Sequence, residues 1–260
     1  MIRLDLYLSN YGYVKSRQRA KALIEDGHVM LNSKKITKPS FLVDEDAENV
    51  IEISDPCPYV SRGGLKLKKA IELANIDVLD KVALDIGAST GGFTDCLLKH
   101  GARRVFAVDS GTNQLEASLV RNDKVVSLEN YNARNISLND IGELCDIVTI
   151  DVSFISQTYI LPSAVKLLKP NGVYVSLIKP QFEVGKDKIG KGGIVKQAKD
   201  RALAVHRVFD CATENGLSCI CFDKSPILGG DGNVEYLAVF AKDTKSIISY
   251  DSINEFILKN

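Results

Sequence analysis

The chain has no tryptophan, two methionines and three histidines among 260 residues. The histidines are scattered, and no two of the six cysteines form Cys-x-x-Cys, so the spacing of a zinc site is missing and no metal is expected. Unpaired thiols point to a reducing compartment, the cytoplasm. No run approaches the roughly 18 apolar residues of a spanning helix, and the opening residues Met1–Asp5 lack the apolar core of a signal peptide. The formal net charge is zero, so any attraction for a polyanion has to be local. Gly-x-Gly-x-x-Gly and the Walker A lysine are both absent.

What is present centres on residues 82–95. Val82–Ile86 is an apolar run of the kind that fills a buried parallel strand, broken near its end by Asp85. Gly87, Gly91 and Gly92 follow, and a helical pattern then runs to His100 and stops at Gly101. Strand, glycine turn and helix open a Rossmann-like nucleotide site. The next strand, Arg104–Asp109, ends on a carboxylate placed to bind ribose hydroxyls. Asp-x-Gly at one strand end and an acid closing the next resemble the S-adenosylmethionine site of class I methyltransferases.

Residues 1–55 read as a separate module. Leu4, Leu6, Tyr7 and Leu8 begin a short helix, and Ser16 is a plausible N-cap for a second over Arg17–Asp26. Val29, Leu31 and Ile36 alternate like a strand around a turn at 32–35, and Val50–Ile53 is a further strand. Residues 1–38 hold eight basic and three acidic side chains, whereas residues 39–55 hold six acids and no base. Arg17 and Lys21 share one helix face, and with Arg3, Arg19, Lys34, Lys35 and the later Arg62 they are candidates to follow a phosphate backbone. A solvated surface that binds nothing is the bland alternative. No aromatic stacking platform is expected here, which argues against single-strand binding. Arg3-Leu-Asp-x-Tyr-Leu, Ser16-Arg-x-x-Ala20 and Ile24-x-x-Gly27-x-Val29-x-Leu-Asn32 resemble the alpha-L RNA-binding motif. That resemblance implies contact with structured RNA through shape and phosphate.

Residues 56–62 form the linker, residues 63–244 the large domain and residues 245–260 an amphipathic helical tail. A helix from Leu65 buries Leu67, Ala70, Ile71 and Ala74, which by spacing alone leaves Lys66 on the surface. A third strand, Val125–Leu128, leads to Asn132, a candidate for the adenine edge or for an Asx turn. The fourth strand, Asp146–Asp151, ends on a carboxylate, and a helix is then predicted to run on to the Lys169–Gly172 turn. The fifth strand, Val173–Ile178, delivers Lys179. Carboxylate and lysine therefore stand side by side at the ligand-binding end of the sheet, as a functional pair or as a plain salt bridge. Residues 183–195, rich in glycine and lysine, have the composition of a mobile loop that covers substrate. Glu235 opens an otherwise apolar strand and needs a cationic partner if buried.

Ser61-Arg-Gly-Gly-x-Lys66, Asp85–Asp95, Asp151-Val-Ser-Phe154, Lys179-Pro-Gln-Phe-Glu183 and Gly232-Asn-Val-Glu235 together resemble the TlyA family, which also carries the name haemolysin A. The resemblance implies an α/β fold. It consists of a Rossmann-like class I methyltransferase sheet with helices on both faces, FtsJ-like in type, plus a small α+β N-terminal RNA-binding domain. It further implies transfer of a methyl group from S-adenosylmethionine to the ribose 2′-hydroxyl of cytidine in ribosomal RNA or ribosomal subunits. The family's catalytic tetrad falls on Lys66, Asp151, Lys179 and Glu235, which overturns the surface reading of Lys66. Cofactor contacts are expected from Asp85, Gly87, Ser89, Gly91, Gly92, Phe93, Asp109, Asn132 and Asp151.

The tetrad suits the chemistry. A ribose hydroxyl must lose its proton as it attacks, and a lysine beside a second lysine is a plausible base. Lys179 is assigned that role, with Lys66 as its cationic neighbour and the two acids orienting them. Base methylation is disfavoured. Val-Ser-Phe stands where amino-methylating enzymes carry Pro-Pro-aromatic, and the nearest cysteine, Cys145, precedes the fourth strand. A non-catalytic RNA-binding or ribosome-assembly factor is the alternative from another class. A membrane-acting haemolysin lacks a spanning segment.

Overall fold

The computed structural model describes residues 1–14, 16–54, 57–229, 232–245 and 248–259. The expected junction at Asp55 and Pro56, Lys15, the centre of the glycine turn at Gly230 and Asp231, and the start of the tail at Ser246 and Ile247 lie outside them. The chain forms two compact units, Met1–Pro58 and Tyr59–Asn260.

In the first unit, β1 (Ile2–Arg3) pairs antiparallel with β4 (Leu42–Val43), and β2 (Val29–Leu31) lies between β3 (Lys34–Ile36) and β5 (Ile51–Ile53). Two helices, α1 (Leu4–Asn10) and α2 (Arg17–Glu25), supply Leu4, Leu8, Ala20, Leu23 and Ile24 to a core with Val29, Ile36 and Val43. Ser16 caps α2 by accepting from Arg19 N at 3.2 Å. Asn32 and Ser33, both at positive φ, make the two-residue hairpin turn between β2 and β3. The expected four-residue turn is thus two residues shorter, and Lys34 and Lys35 stand on a strand. Aromatic side chains gather at the end of α1. Tyr11 stacks on Tyr7 at 4.4 Å between ring centroids, and Tyr13 lies 6.1 Å from the same ring. The i,i+4 spacing of Tyr7 and Tyr11 at the end of α1 makes that stack.

The second unit is built on a seven-stranded sheet. α3 (Gly63–Ala74) precedes β6 (Val82–Ile86), α4 (Gly92–Lys99), β7 (Arg104–Val108), α5 (Ala117–Val120) and β8 (Val125–Leu128). Then come α6 (Leu138–Ile141), β9 (Cys145–Ile150), α7 (Leu161–Lys166), β10 (Leu168–Ile178), α8 (Pro180–Glu183) and α9 (Ala198–Glu214). β11 (Leu217–Lys224), β12 (Tyr236–Lys242) and α10 (Tyr250–Lys259) complete the unit. The strand order is β11-β12-β10-β9-β6-β7-β8. β8, β7, β6, β9 and β10 are parallel, and β12 runs antiparallel between β10 and β11.

The apolar runs explain the burial. Every residue of β6 is buried, and Tyr174, Tyr236 and Phe240 are at most 1% exposed. Each large side chain so enclosed contributes about 1.5–3 kcal/mol. Ile253 and Ile257 insert α10 into the same core. The predicted helix after the fourth strand is shorter than expected. It stops at Lys166, and β10 begins at Leu168 with an irregularity before Val173. The cause is Leu168, which pairs with Cys145 before the Pro170-Asn-Gly172 bulge rather than after it.

Candidate active site

Three neighbouring strands bring the charged residues together. Ile178, the last residue of β10, pairs with Tyr236, the first of β12, and Ser176 pairs with Ile150, the last of β9. Lys179 directly follows β10, Glu235 directly precedes β12, and Asp151 directly follows β9. Lys66 comes from α3, whose sequence pattern had turned it outward. Instead it is 8% exposed, and its Nζ donates to Glu235 Oε2 at 2.6 Å. The cationic partner that buried Glu235 requires is therefore Lys66. A Cβ on Gly229 would stand 2.5 Å from Glu235 Oε1, so a glycine there gives the carboxylate its room.

Lys179 Nζ lies 2.5 Å from Asp151 Oδ1, an ionic contact rather than an aligned hydrogen bond, and donates to Ser153 Oγ at 3.0 Å. Both side chains are mostly enclosed, 12% and 19% exposed. Asp151 N donates to Ile86 O at 2.9 Å, which ties the ends of β9 and β6. Gly87, at φ +82, is needed for that approach, because a Cβ there would meet Asp151 O at 2.3 Å. The two ion pairs, Lys66–Glu235 and Lys179–Asp151, thus stand at the ends of adjoining strands, directly beside the glycine turn.

The remaining expected cofactor residues divide. Asp109 follows β7 and holds the turn: its Oδ2 accepts from Ser89 N at 2.8 Å and its Oδ1 from Gly111 N at 2.7 Å. Ser89 is exposed at the tip of the turn, and Gly91, Gly92 and Phe93 are buried where α4 begins. Asp85 is different. It is fully enclosed, with Thr94 Oγ1 donating at 2.7 Å and Thr149 Oγ1 at 2.9 Å. Burial pushes its pKa up to about 6 against those two donors. Its carboxylate locks β6 to α4 and β9 and is sealed from solvent, so the expectation of direct ligand contact is corrected to a role inside the wall. Asn132 is exposed, and its side chain accepts from Arg134 N at 3.2 Å. That is the geometry of an Asx turn, and it uses only the side-chain oxygen.

In the first unit, Arg3 and Arg17 share one buried carboxylate. Arg3 Nε donates to Asp5 Oδ1 and Arg17 Nε to Asp5 Oδ2, each at 2.9 Å, and these hydrogen bonds hold Asp5 below the usual carboxylate range. Their side chains remain 42% and 53% exposed. Lys21 lies 3.8 Å from Glu25, Arg19 is half-buried, and Lys34 and Lys35 are exposed on β3. Arg62 belongs to the second unit, where it precedes α3.

Sequence reasoning gave no role to Phe154, which is 92% exposed at φ +64 with its ring 5.2 Å from Phe182. The signal was there: a large aromatic three residues beyond a strand-end acid. Segment 183–195, expected to be a mobile loop that covers substrate, is anchored at its two ends, while residues 185–187 and 190–193 are exposed. Val184 and Val195 are buried, and Asn233 accepts from Val195 N at 3.0 Å and donates to Gly193 O at 2.9 Å.

Comparison with known proteins agrees with this architecture. Residues 59–242 match the FtsJ-like methyltransferase family and residues 2–49 the S4 domain. The 16S/23S rRNA (cytidine-2′-O)-methyltransferase TlyA of Mycobacterium tuberculosis is 38% identical over 98% of this chain and 95% of its own. Hemolysin A of Brachyspira hyodysenteriae is 44% identical over 92% of this chain and 99% of its own. A solved chain from Streptococcus thermophilus, which carries a hemolysin name, superposes with a TM-score of 0.80 at 40% identity, covering 99% of this chain and 94% of its own. The chain therefore belongs to the FtsJ-like methyltransferase family, with an S4 domain preceding the catalytic fold.

Proposed function

We propose that this chain methylates the ribose 2′-hydroxyl of a cytidine in ribosomal RNA, free or within a subunit, with S-adenosylmethionine as the methyl donor and the cytoplasm as the place of reaction. The observation that carries the proposal is the adjoining pair of ion pairs, Lys66–Glu235 and Lys179–Asp151, beside the glycine turn. The relatives named as rRNA (cytidine-2′-O)-methyltransferases support it.

The turn fits the cofactor. Asp109 uses one lone pair of each oxygen on backbone N–H groups and keeps others for the two hydroxyls of a ribose. Gly87, Ser89, Gly91, Gly92 and Phe93 form the adjoining wall, which Asp85 braces from inside. Bound S-adenosylmethionine supplies a methyl group on a sulfonium, so the chain has to deliver and deprotonate one hydroxyl. Lys179 Nζ has one contact to Asp151 and one to Ser153, which leaves a third N–H direction for the 2′-oxygen. Loss of its proton to solvent turns the same nitrogen into the acceptor for the hydroxyl proton. General-base help of this kind is worth ~10²–10⁴-fold, and alignment of oxygen and methyl supplies much of the rest. Glu235 balances Lys66, so the charge of the site is fixed before RNA arrives. Phe154 offers an open ring face for the base of the target nucleotide.

The basic side chains of the first unit, Arg3, Arg17, Arg19, Lys21, Lys34 and Lys35, grip RNA phosphates, with Arg62 doing so from the second. Among the described residues no helix is long and apolar enough to cross a membrane.

The test is to incubate ribosomal RNA and subunits with the purified chain and S-adenosylmethionine and to map 2′-O-methyl groups. Lys179→Ala is expected to bind the cofactor in calorimetry and to lose transfer. Transfer at the wild-type rate by that variant removes Lys179 from the mechanism, and no cofactor binding by the wild type removes the enzyme.

A further inference from the structure

We propose that Glu183 is a positioning residue: its enclosed carboxylate joins the loop after β9 to the turn after β10 and sets where Lys179 and Asp151 stand. The inference rests on the methyl-transfer reading of those two residues and adds a determinant of their geometry.

Two loops meet at this place. One leaves β9 through Asp151 and Ser153, and the other leaves β10 through Lys179, the residue that caps α8. They are joined by three rungs. Lys179 Nζ donates to Ser153 Oγ at 3.0 Å, Phe154 packs on Phe182 at 5.2 Å, and the last rung is Glu183. Its Oε2 accepts from Ser156 Oγ at 2.5 Å and its Oε1 from Gln157 N at 3.0 Å. The first two rungs include the exposed side chains of Ser153 and Phe154. The third is enclosed: Glu183 is 4% exposed.

The linkage then closes on itself. Gln157, 1% exposed, accepts from Ser176 Oγ at 2.5 Å and donates to Leu177 O at 3.4 Å. Ser176 and Leu177 lie on β10 just before Lys179. From Lys179 the path runs down α8 to Glu183, across to Gln157 and back to the strand that carries Lys179. Arg207 Nη1 anchors the same turn from α9 by donating to Glu183 O at 2.5 Å.

An acid at this depth is costly unless both oxygens are satisfied. Burial pushes the Glu183 pKa up, and the Ser156 and Gln157 donors oppose it. The carboxylate, carried on the turn after β10, accepts from two neighbouring donors on the loop after β9, with the Arg207 guanidinium as the nearby positive charge, so it fixes the spacing of the two segments without competing for Lys179.

The experiment uses the full chain, ribosomal RNA and S-adenosylmethionine. It measures kcat, KM for RNA, calorimetric Kd for the cofactor and the thermal midpoint for wild type, Glu183→Ala, Glu183→Gln and Ser156→Ala. Glu183→Ala is expected to lower kcat by about tenfold or more, with KM and Kd changed by less than about threefold. Glu183→Gln is expected to recover most of kcat, since an amide still accepts from Gln157 N and donates to Ser156 Oγ. If Glu183→Ala does not fold, Ser156→Ala carries the test and is expected to lower kcat by about threefold or more. Wild-type kcat in the folded variants overturns the proposal. So does a kcat loss matched by loss of cofactor binding that Glu183→Gln does not rescue, which is the mark of plain structural damage. A wild-type chain without transfer activity overturns the methyl-transfer reading itself.

Discussion

Lys66 and Glu235 are 169 residues apart in sequence and 2.6 Å apart in space, and both are buried. Removing one partner leaves the other charge enclosed without its counter-ion. Glu235→Gln is therefore expected to cost about 3–5 kcal/mol in urea unfolding. The double change Lys66→Met with Glu235→Leu, which removes both charges, is expected to recover most of that stability without recovering methyl transfer. A single substitution that leaves stability unchanged contradicts the buried pairing.

Asp85 gives stability a pH dependence. Its pKa is raised by burial to about 6, with the charge of Asp151 adding to the rise. An acid whose folded pKa exceeds its unfolded value stabilises the fold below the unfolded value and loses that contribution as pH rises through the folded one. Asp85→Asn is therefore expected to gain on the wild type as pH climbs from 4 to 7, by on the order of 3 kcal/mol at the upper end. Denaturant midpoints of both proteins across that range provide the measurement, and parallel curves refute it.

Phe154 is exposed and sits at a positive φ unfavourable for a bulky side chain. Phe154→Ala is expected to alter stability by less than about 1 kcal/mol while lowering kcat/KM for RNA by about five- to a hundredfold, the range of one lost base-stacking contact. Unaltered kinetics would exclude the ring from the substrate site.

Lys34 and Lys35 stand exposed on β3. Lys34→Gln with Lys35→Gln is expected to weaken RNA binding for all sequences alike. The slope of log affinity against log salt should shrink by roughly 0.7–0.9 per lysine that touches phosphate. Filter binding at several salt concentrations measures both, and an unaltered slope takes this strand out of the RNA contact.

The apolar periods made the architecture readable. β6, β7, β9 and β12 are short runs with little choice but burial, and the glycine turn after β6 is set by its own residues. The burial of Lys66 was not readable from its helix. On α3 it lies off the apolar stripe, and only the arrival of Glu235 from the far end of the sequence turns it inward. Asp85 failed in the opposite sense. An acid near a glycine turn suggested a ligand contact, but its two threonine partners come from α4 and β9, and only the folded sheet sets them around it. The tyrosine stack at the end of α1 and the Glu183 linkage were also hidden. Each depends on which turn folds back on which, a choice that residue types alone leave open.

β12 enters the sheet against the direction of its neighbours, so Glu235 belongs to the start of the last strand rather than to the end of an earlier one. A polypeptide interrupted between Lys179 and Glu235 would carry three members of the charged group and an ammonium at Lys66 with no anion to receive it. During synthesis the same order holds. The charged group stays incomplete until Glu235, downstream of the other three, has been added.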